Sequence, residues 1–116
     1  MIMKNSFTRK EGKRIAYYRL NSPVKADMWD DHWSTNASPD LKDFYRRYLR
    51  GYLGYGQIRY VLLKHLPRFG LIVEGGCGMG QYVVALRARG YNCIGVDFAA
   101  KTVAAVKKVL PDIPVE

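Results

Sequence analysis

Apolar and polar positions recur along this chain with periods that predict a series of helices and short strands. Between Leu41 and Leu49 the apolar residues fall at i, i+3, i+4, i+7 and i+8, which is the stripe of an amphipathic helix. Ser38 supplies the predicted N-cap of this helix, Pro39 its first position and Gly51 its end. Two further stripes predict one helix that stops before Pro67 and one near the C-terminus: Ile58, Val61, Leu62 and Leu66, then Val103, Val106 and Leu110.

Two short apolar segments, 71–73 and 92–96, interrupt the helical pattern and predict strands. The first has consecutive apolar residues, which indicates a strand buried on both faces, since half-exposed strands alternate polar and apolar positions. Between the two segments, residues 81–89 have helix-forming composition and stop at Gly90, which suits a left-handed C-cap. Val115 opens a predicted third strand. This order of elements predicts an α/β fold with a parallel sheet.

Four glycines lie within the six positions 75–80, between the first strand and the following helix. No regular element tolerates this density, because glycine forgoes side-chain packing and carries extra backbone entropy. The segment, called the glycine turn below, is therefore predicted to be a tight turn. A dinucleotide-binding turn needs G-x-G-x-x-G, and Gln81 stands where its last glycine belongs. A P-loop needs Lys and then Ser or Thr, and the chain has Gln81 and Tyr82 instead.

One acid precedes the glycine turn and another follows the second strand. The motif E-x-G-x-G-x-G at positions 74–80 resembles the first motif of the class I S-adenosylmethionine-dependent methyltransferases, an acid followed by G-x-G-x-G, and Cys77 is common in that family at its position. Asp97 ends the second strand, where nucleoside-binding α/β folds place an acid that accepts hydrogen bonds from ribose hydroxyls. The two features together are more specific than the glycine turn alone.

The resemblance implies that the chain binds S-adenosylmethionine at these positions. In the family the glycine turn approaches the methionine part of the cofactor, and Glu74 would place the turn or contact the cofactor's amino group. No residue is assigned as catalytic, and no metal is implied. The expected cofactor-binding residues are Glu74, Gly75, Gly76, Cys77, Gly78, Gly80, Asp97 and Phe98.

The resemblance covers residues 55–116 and implies a partial Rossmann-like, doubly wound parallel sheet, its first two to three strands, preceded by N-terminal helices. Because the family sheet has more strands than this chain supplies, the chain is expected to be an N-terminal fragment, inactive alone and prone to self-association. Residues 26–54 would form a helical extension. Family members often carry Ser two residues after the ribose-binding acid, and the chain has Ala99 there, which weakens the predicted helix start by about 1 kcal/mol.

Charge is distributed unevenly along the chain, whose net charge is +9. Residues 1–25 carry seven basic side chains against the single acid Glu11 and lack sustained periodicity, so they are predicted to be a poorly ordered arm. Such an arm can bind nucleic acid through its phosphates, or it can remain solvated. No apolar run has the length of a membrane span, and no signal peptide begins the chain, so a cytoplasmic protein without a membrane partner is expected.

Three functions remain open on the sequence. Trp29 and Trp33 lie on one face of a predicted helical turn. They could close over a substrate, which favours a methyltransferase with a small-molecule acceptor, or simply pack on the core. The basic arm and the net charge favour an RNA-directed methyltransferase instead. A truncated chain that binds the cofactor without catalysing transfer is the third possibility.

Overall fold

A computed structural model describes residues 25–36 and 40–116 of the chain. Residues 1–24 of the predicted basic arm and the predicted Ser38 cap lie outside the described residues. The described elements are α1 (Ala26–Asn36), α2 (Leu41–Tyr45), a 3₁₀ turn (Tyr48–Arg50), α3 (Gln57–His65), β1 (Ile72–Gly75), α4 (Gln81–Ala88), β2 (Cys93–Val96) and α5 (Ala100–Val109).

The two strands form a parallel sheet, as the alternation of strands and helices predicted. Ile72 is paired with Cys93 at one end of the ladder and Gly75 with Val96 at the other. Val115 forms an isolated parallel bridge with Gly95 on the other edge of β2, at the position where a third strand was predicted to open. The described chain is therefore an α/β structure in which β2 lies between β1 and the C-terminal residues.

The helices cover one face of this sheet and leave the other face exposed. Ile72 and Cys93 pack into the core, whereas Val73 is 54% exposed and Val96 is 37% exposed. Because side chains alternate between the faces of a strand, Val73 lies on the face opposite Ile72. The prediction that the first strand is buried on both faces is therefore wrong for the described chain. The strand is apolar on both faces, but helices pack against only one.

Helix α4 joins the two strands and is buried along most of its length. Residues 83–86 are all buried, so the helix contacts the sheet on one side and the 3₁₀ turn on another. Its C-terminus has the double hydrogen bond of a Schellman motif, from Gly90 N–H to Arg87 O and from Tyr91 N–H to Leu86 O. Gly90 has a φ of 89°, which confirms the predicted left-handed cap.

The helix predicted from Leu41 begins and continues differently from the expectation. Its N-cap is Asp40, whose carboxylate accepts hydrogen bonds from the N–H groups of Lys42 and Asp43. The α-helix ends at Tyr45, and the chain tightens into the 3₁₀ turn before Gly51, which has a φ of 84°. The predicted cap was therefore misplaced by two residues, because an aspartate is as good an N-cap as a serine and stood closer to the first apolar residue.

Helix α3 forms over the predicted range, but its predicted apolar face is only partly buried. Leu62 and Leu66 pack against the core, whereas Ile58 and Val61 remain about half exposed, at 59% and 49%. Helix α5 packs through Val103 and Val106, as its stripe predicted.

Candidate functional site

The candidate site lies at the carboxyl ends of β1 and β2, where the glycine turn leaves the sheet. Gly76, Gly78 and Gly80 have φ values of 71°, 53° and 65°, a backbone region that glycine enters without strain. Gly80 is also the N-cap residue of α4. The turn therefore delivers the N-terminus of α4, where N–H groups have no partner within the helix, to the same end of the sheet as Asp97.

Asp97 ties the end of β2 to the glycine turn. Its Oδ2 accepts a hydrogen bond from Gly78 N–H at 2.7 Å, and its Oδ1 accepts one from Ala99 N–H at 2.9 Å. The N–H groups of Gly76 and Cys77 both donate to the Val96 carbonyl oxygen. Asp97 and Gly78, the middle glycine of the motif, are thus in direct contact. A carboxylate has about four acceptor positions, so Asp97 can still accept hydrogen bonds from a ligand.

Glu74 occupies the buried face of the sheet, opposite Gly95 in the ladder. Burial raises the pKa of its carboxyl from 4.5 to about 7, an effect that a hydrogen bond from Val83 N–H partly offsets. Val83 lies in the first turn of α4, so the carboxyl faces the helix N-terminus, where a negative charge is favoured.

Two buried side-chain oxygens beside the glycine turn have no hydrogen-bond partner among the described residues. They are Oε2 of Glu74 and Oε1 of Gln81, the first residue of α4. Buried polar atoms are nearly always paired, so each of these oxygens could accept a hydrogen bond from a ligand at the glycine turn. An ammonium group, such as the one on the methionine part of S-adenosylmethionine, has the donors that these oxygens lack.

The side chain of Cys77 faces the core. It is 4% exposed. A Cβ on residue 95 would lie 2.7 Å from its Sγ, so the Cys77 side chain fits here only because residue 95 is glycine. Burial, with the nearby charges of Glu74 and Asp97, raises the pKa of this thiol to about 12. Cys77 therefore stays protonated at neutral pH, and a ligand in the turn would meet its backbone. Cys93 is also a free, buried cysteine.

A layer of residues from the N-terminal helices holds the glycine turn from the outside. The Tyr45 hydroxyl donates to the Met79 carbonyl oxygen at 2.6 Å in a buried setting. The indole of Trp33 lies over Gly78, so closely that a Cβ at position 78 would overlap the ring. Trp33 is partly buried in the core cluster, while Trp29 is 41% exposed. Of the two tryptophans, only Trp33 covers the turn.

Helix α1 is attached to this end of the sheet by Asp30. Its Oδ1 accepts hydrogen bonds from both the backbone N–H and the hydroxyl of Thr102, at 2.8 and 2.7 Å. Thr102 is in the first turn of α5, and the N-cap residue of that helix, Ala99, offers no side-chain acceptor. Asp30 belongs to α1, and its carboxylate therefore provides the capping acceptor that Ala99 cannot provide for α5.

All eight predicted cofactor-binding residues lie at this one end of the sheet. Gly75 is the last residue of β1, and Phe98, 59% exposed, follows Asp97 directly. Sequence reasoning did not identify Tyr45 or Asp30, because their contacts join positions far apart in the chain. Among the described residues, no group of three or more side chains could hold a metal ion.

Comparisons of this chain with protein-family models, with curated proteins and with solved structures found no match. Within the described residues, every helix is too short or too polar to cross a bilayer.

Proposed function

We propose that the chain binds S-adenosylmethionine at the glycine turn and provides the cofactor half of a methyltransferase for a small-molecule acceptor. The observation that carries the proposal is the hydrogen bond between Gly78 and Asp97, which joins the two parts of the motif at the carboxyl ends of adjacent parallel strands. Open α/β sheets bind their ligands at this edge. The sheet would then be the first part of a Rossmann-like, doubly wound fold, in a protein of the reducing cytoplasm.

Each part of the site matches one part of the cofactor. Glu74 and Gln81, whose orphaned oxygens need a donor, would accept hydrogen bonds from the amino group. The N-terminus of α4 would face the carboxylate. Asp97 would accept hydrogen bonds from the ribose hydroxyls, and the exposed ring of Phe98 would lie against the adenine.

When bound, S-adenosylmethionine supplies a methyl group on a positively charged sulfur. The chain's own residues would act by orientation and by excluding water. Trp33 is suited to the second task, because its indole already covers the glycine turn at Gly78. Entry of the methionine part beside Gly78 would require α1 to shift. We assign no catalytic residue among the described residues.

Isothermal titration calorimetry with S-adenosylmethionine tests the proposal. The Asp97→Asn substitution removes the charge and turns one acceptor into a donor, so the affinity should fall about 10- to 100-fold, at roughly 1.4 kcal/mol per decade. Asp112→Asn, an exposed change beyond α5, is the matched control and should have little effect.

Because Asp97 also holds the glycine turn, a second variant separates binding from folding. Phe98→Ala removes an exposed ring, so it should leave the thermal stability unchanged and still weaken binding several-fold. Undiminished affinity in both variants would show that the cofactor does not bind at this edge, and the methyltransferase proposal would lose its main support.

A further inference from the structure

A second pocket lies away from the glycine turn, beside the 3₁₀ turn and the start of α3. Its volume is about 590 Å³, which is in the range of small-molecule sites. Among the described residues, Asp43 is the one acid that lines it. Five arginines line it and give the arginine pocket its name: Arg46, Arg47, Arg50, Arg59 and Arg89.

Two of the five arginines are fixed in place by the protein. Arg89 Nε donates to the Gly51 carbonyl oxygen at 2.6 Å, which leaves the other donors of its guanidinium for a ligand. Gly51 combines a φ of 84° with close packing, since a Cβ there would lie 3.0 Å from Cγ of Arg89. Arg47 is stacked over the rings of Tyr48 and Tyr52, at 5.0 and 4.8 Å from their centroids. These contacts hold two of the five guanidinium groups in the wall of the pocket.

The positive charge of the arginine pocket is largely uncompensated. Arg46 forms an ion pair with Asp43 at 2.8 Å. Among the described residues, the side chains of Arg50 and Arg59 form no ion pair. Like charges gathered at one site repel each other, so their proximity is unfavourable in the free protein and is relieved by an anion. Arginine is the side chain that best matches phosphate, because its planar fork donates two parallel hydrogen bonds.

Aromatic rings line the same pocket beside the guanidinium groups. Phe44 and Tyr52 are partly buried in its wall. Tyr55 is 84% exposed, and its ring meets Tyr52 edge to face with centroids 5.5 Å apart. Most of the surface of the Tyr55 ring is therefore accessible to a ligand. Exposed aromatic rings next to arginines are the arrangement on which nucleobases stack while phosphates are bound.

We propose that the arginine pocket binds a nucleotide, a phosphate joined to an aromatic base, either free or within a single strand of nucleic acid. The phosphate would contact Arg50, Arg59 and Arg89, and the base would stack on Tyr55. The pocket contains the residue after the C-terminus of α4, whereas the glycine turn precedes its N-terminus. The helix axis spans about 12 Å at 1.5 Å per residue, so the two sites are separate and this proposal does not rest on the cofactor assignment.

Fluorescence anisotropy tests the proposal with two probes, fluorescein-labelled adenosine 5′-monophosphate and a short labelled single-stranded RNA. The paired substitution Arg50→Gln and Arg59→Gln should weaken binding of the probe about tenfold or more, because two charged hydrogen-bond donors are lost. The control pair is Lys107→Gln and Lys108→Gln, which removes the same charge from exposed positions of α5 and should change the affinity little. These controls exclude a general effect of net charge, including that of the basic arm.

Tyr55→Ala tests the stacking part, with Phe69→Ala, another highly exposed ring, as its control. Similar dissociation constants for the two probes would identify a free nucleotide as the ligand. Much tighter binding of the RNA, with a steep salt dependence, would identify a single strand of nucleic acid as the ligand. The proposal is overturned if neither probe binds, if inorganic phosphate competes as well as the mononucleotide, or if the arginine and lysine pairs behave alike.

Discussion

Gly78 meets two separate requirements, a left-handed backbone and the close approach of an indole ring. Its φ is 53°, and a Cβ would overlap Trp33. We expect Gly78→Ala to lower the free energy of unfolding by about 2 to 4 kcal/mol, as the sum of backbone strain and overpacking. Gly76→Ala is the matched control, since it has a φ of 71° and open space around its Cβ, and should cost only about 1 to 2 kcal/mol.

Urea denaturation of the single and double variants separates the two effects. In a chain that already carries Trp33→Ala, the Gly78→Ala change should approach the smaller cost of Gly76→Ala, because the overlapping ring is gone. Equal costs for the two glycines in the unaltered chain would contradict the placement of Trp33 over the glycine turn.

The partly buried carboxyl of Glu74 makes stability depend on pH. Its pKa is 4.5 ordinarily and about 7 in the folded chain, so the folded state binds the proton more tightly than the unfolded state. The contribution of this pKa difference to the free energy of unfolding is fully present below pH 4.5 and is lost as the pH rises through 7. We expect Glu74→Gln to stabilise the chain at pH 8 by about 1 to 2 kcal/mol, less than the full pKa difference implies because the residue is only half-buried.

Thermal denaturation at a series of pH values between 4.5 and 8 provides the measurement. The difference between Glu74→Gln and the unaltered chain should vanish toward pH 4.5 and grow toward pH 8. Glu116, which is exposed, provides a control: Glu116→Gln should give a curve parallel to that of the unaltered chain. A constant difference across this range would mean that the Glu74 carboxyl titrates normally.

The residues of the candidate site could be predicted from the sequence, but the contacts that hold the glycine turn from the outside could not. The glycines and Asp97 lie within a short stretch of sequence, and the structure brings Gly78 into hydrogen-bond contact with Asp97. Tyr45 reaches Met79 across 34 positions of sequence. That hydrogen bond depends on how the helices pack, which no local pattern encodes.

At the level of elements, one carboxylate of α1 is hydrogen-bonded to the first turn of α5. Asp30 caps the first turn of α5 through Thr102, where Ala99 offers no acceptor. We expect Asp30→Ala to lower the free energy of unfolding by about 1 to 2 kcal/mol, the usual effect of losing an N-cap. Asp31→Ala is the control, because Asp31 is exposed and its side chain makes no hydrogen bond with the described residues.

A second measurement distinguishes lost capping from general destabilisation. Hydrogen exchange should speed up at the first-turn amides of α5 and along α1 in Asp30→Ala, while the amides of α4 keep their protection. If exchange increased uniformly, Asp30 would not be a specific link between α1 and α5.

The periodicity of the sequence predicted which segments form helices, but it did not predict how deeply their side chains are buried. The stripes of α3 and α5 predicted helices at the observed positions, because a period of about 3.6 leaves little choice of structure. The same stripe of α3 also predicted burial of Ile58 and Val61, and both are about half exposed. Apolar periodicity shows which face of a helix is apolar, but tertiary packing determines whether another element buries that face.

At the scale of the whole molecule, the sheet is apolar on both faces, and the helices among the described residues cover only one of them. Val73 and Ile94 are partners in the ladder, as are Gly75 and Val96, so their side chains share the open face. The outer edge of β1 also lacks a paired strand among the described residues. Exposed apolar strands with a free edge favour association with another chain.

We therefore expect this chain to self-associate through the open face of the sheet. Sedimentation velocity over a range of concentrations should show oligomers that Val73→Lys shifts toward the monomer, because a charged group at this face opposes burial. Leu49→Lys is the matched control, since Leu49 is 52% exposed, close to the 54% of Val73, but belongs to the 3₁₀ turn. It should leave the association unchanged. If both lysine variants shifted the distribution equally, the added charge itself would be the cause, and if neither did, the open face of the sheet would not be the contact surface.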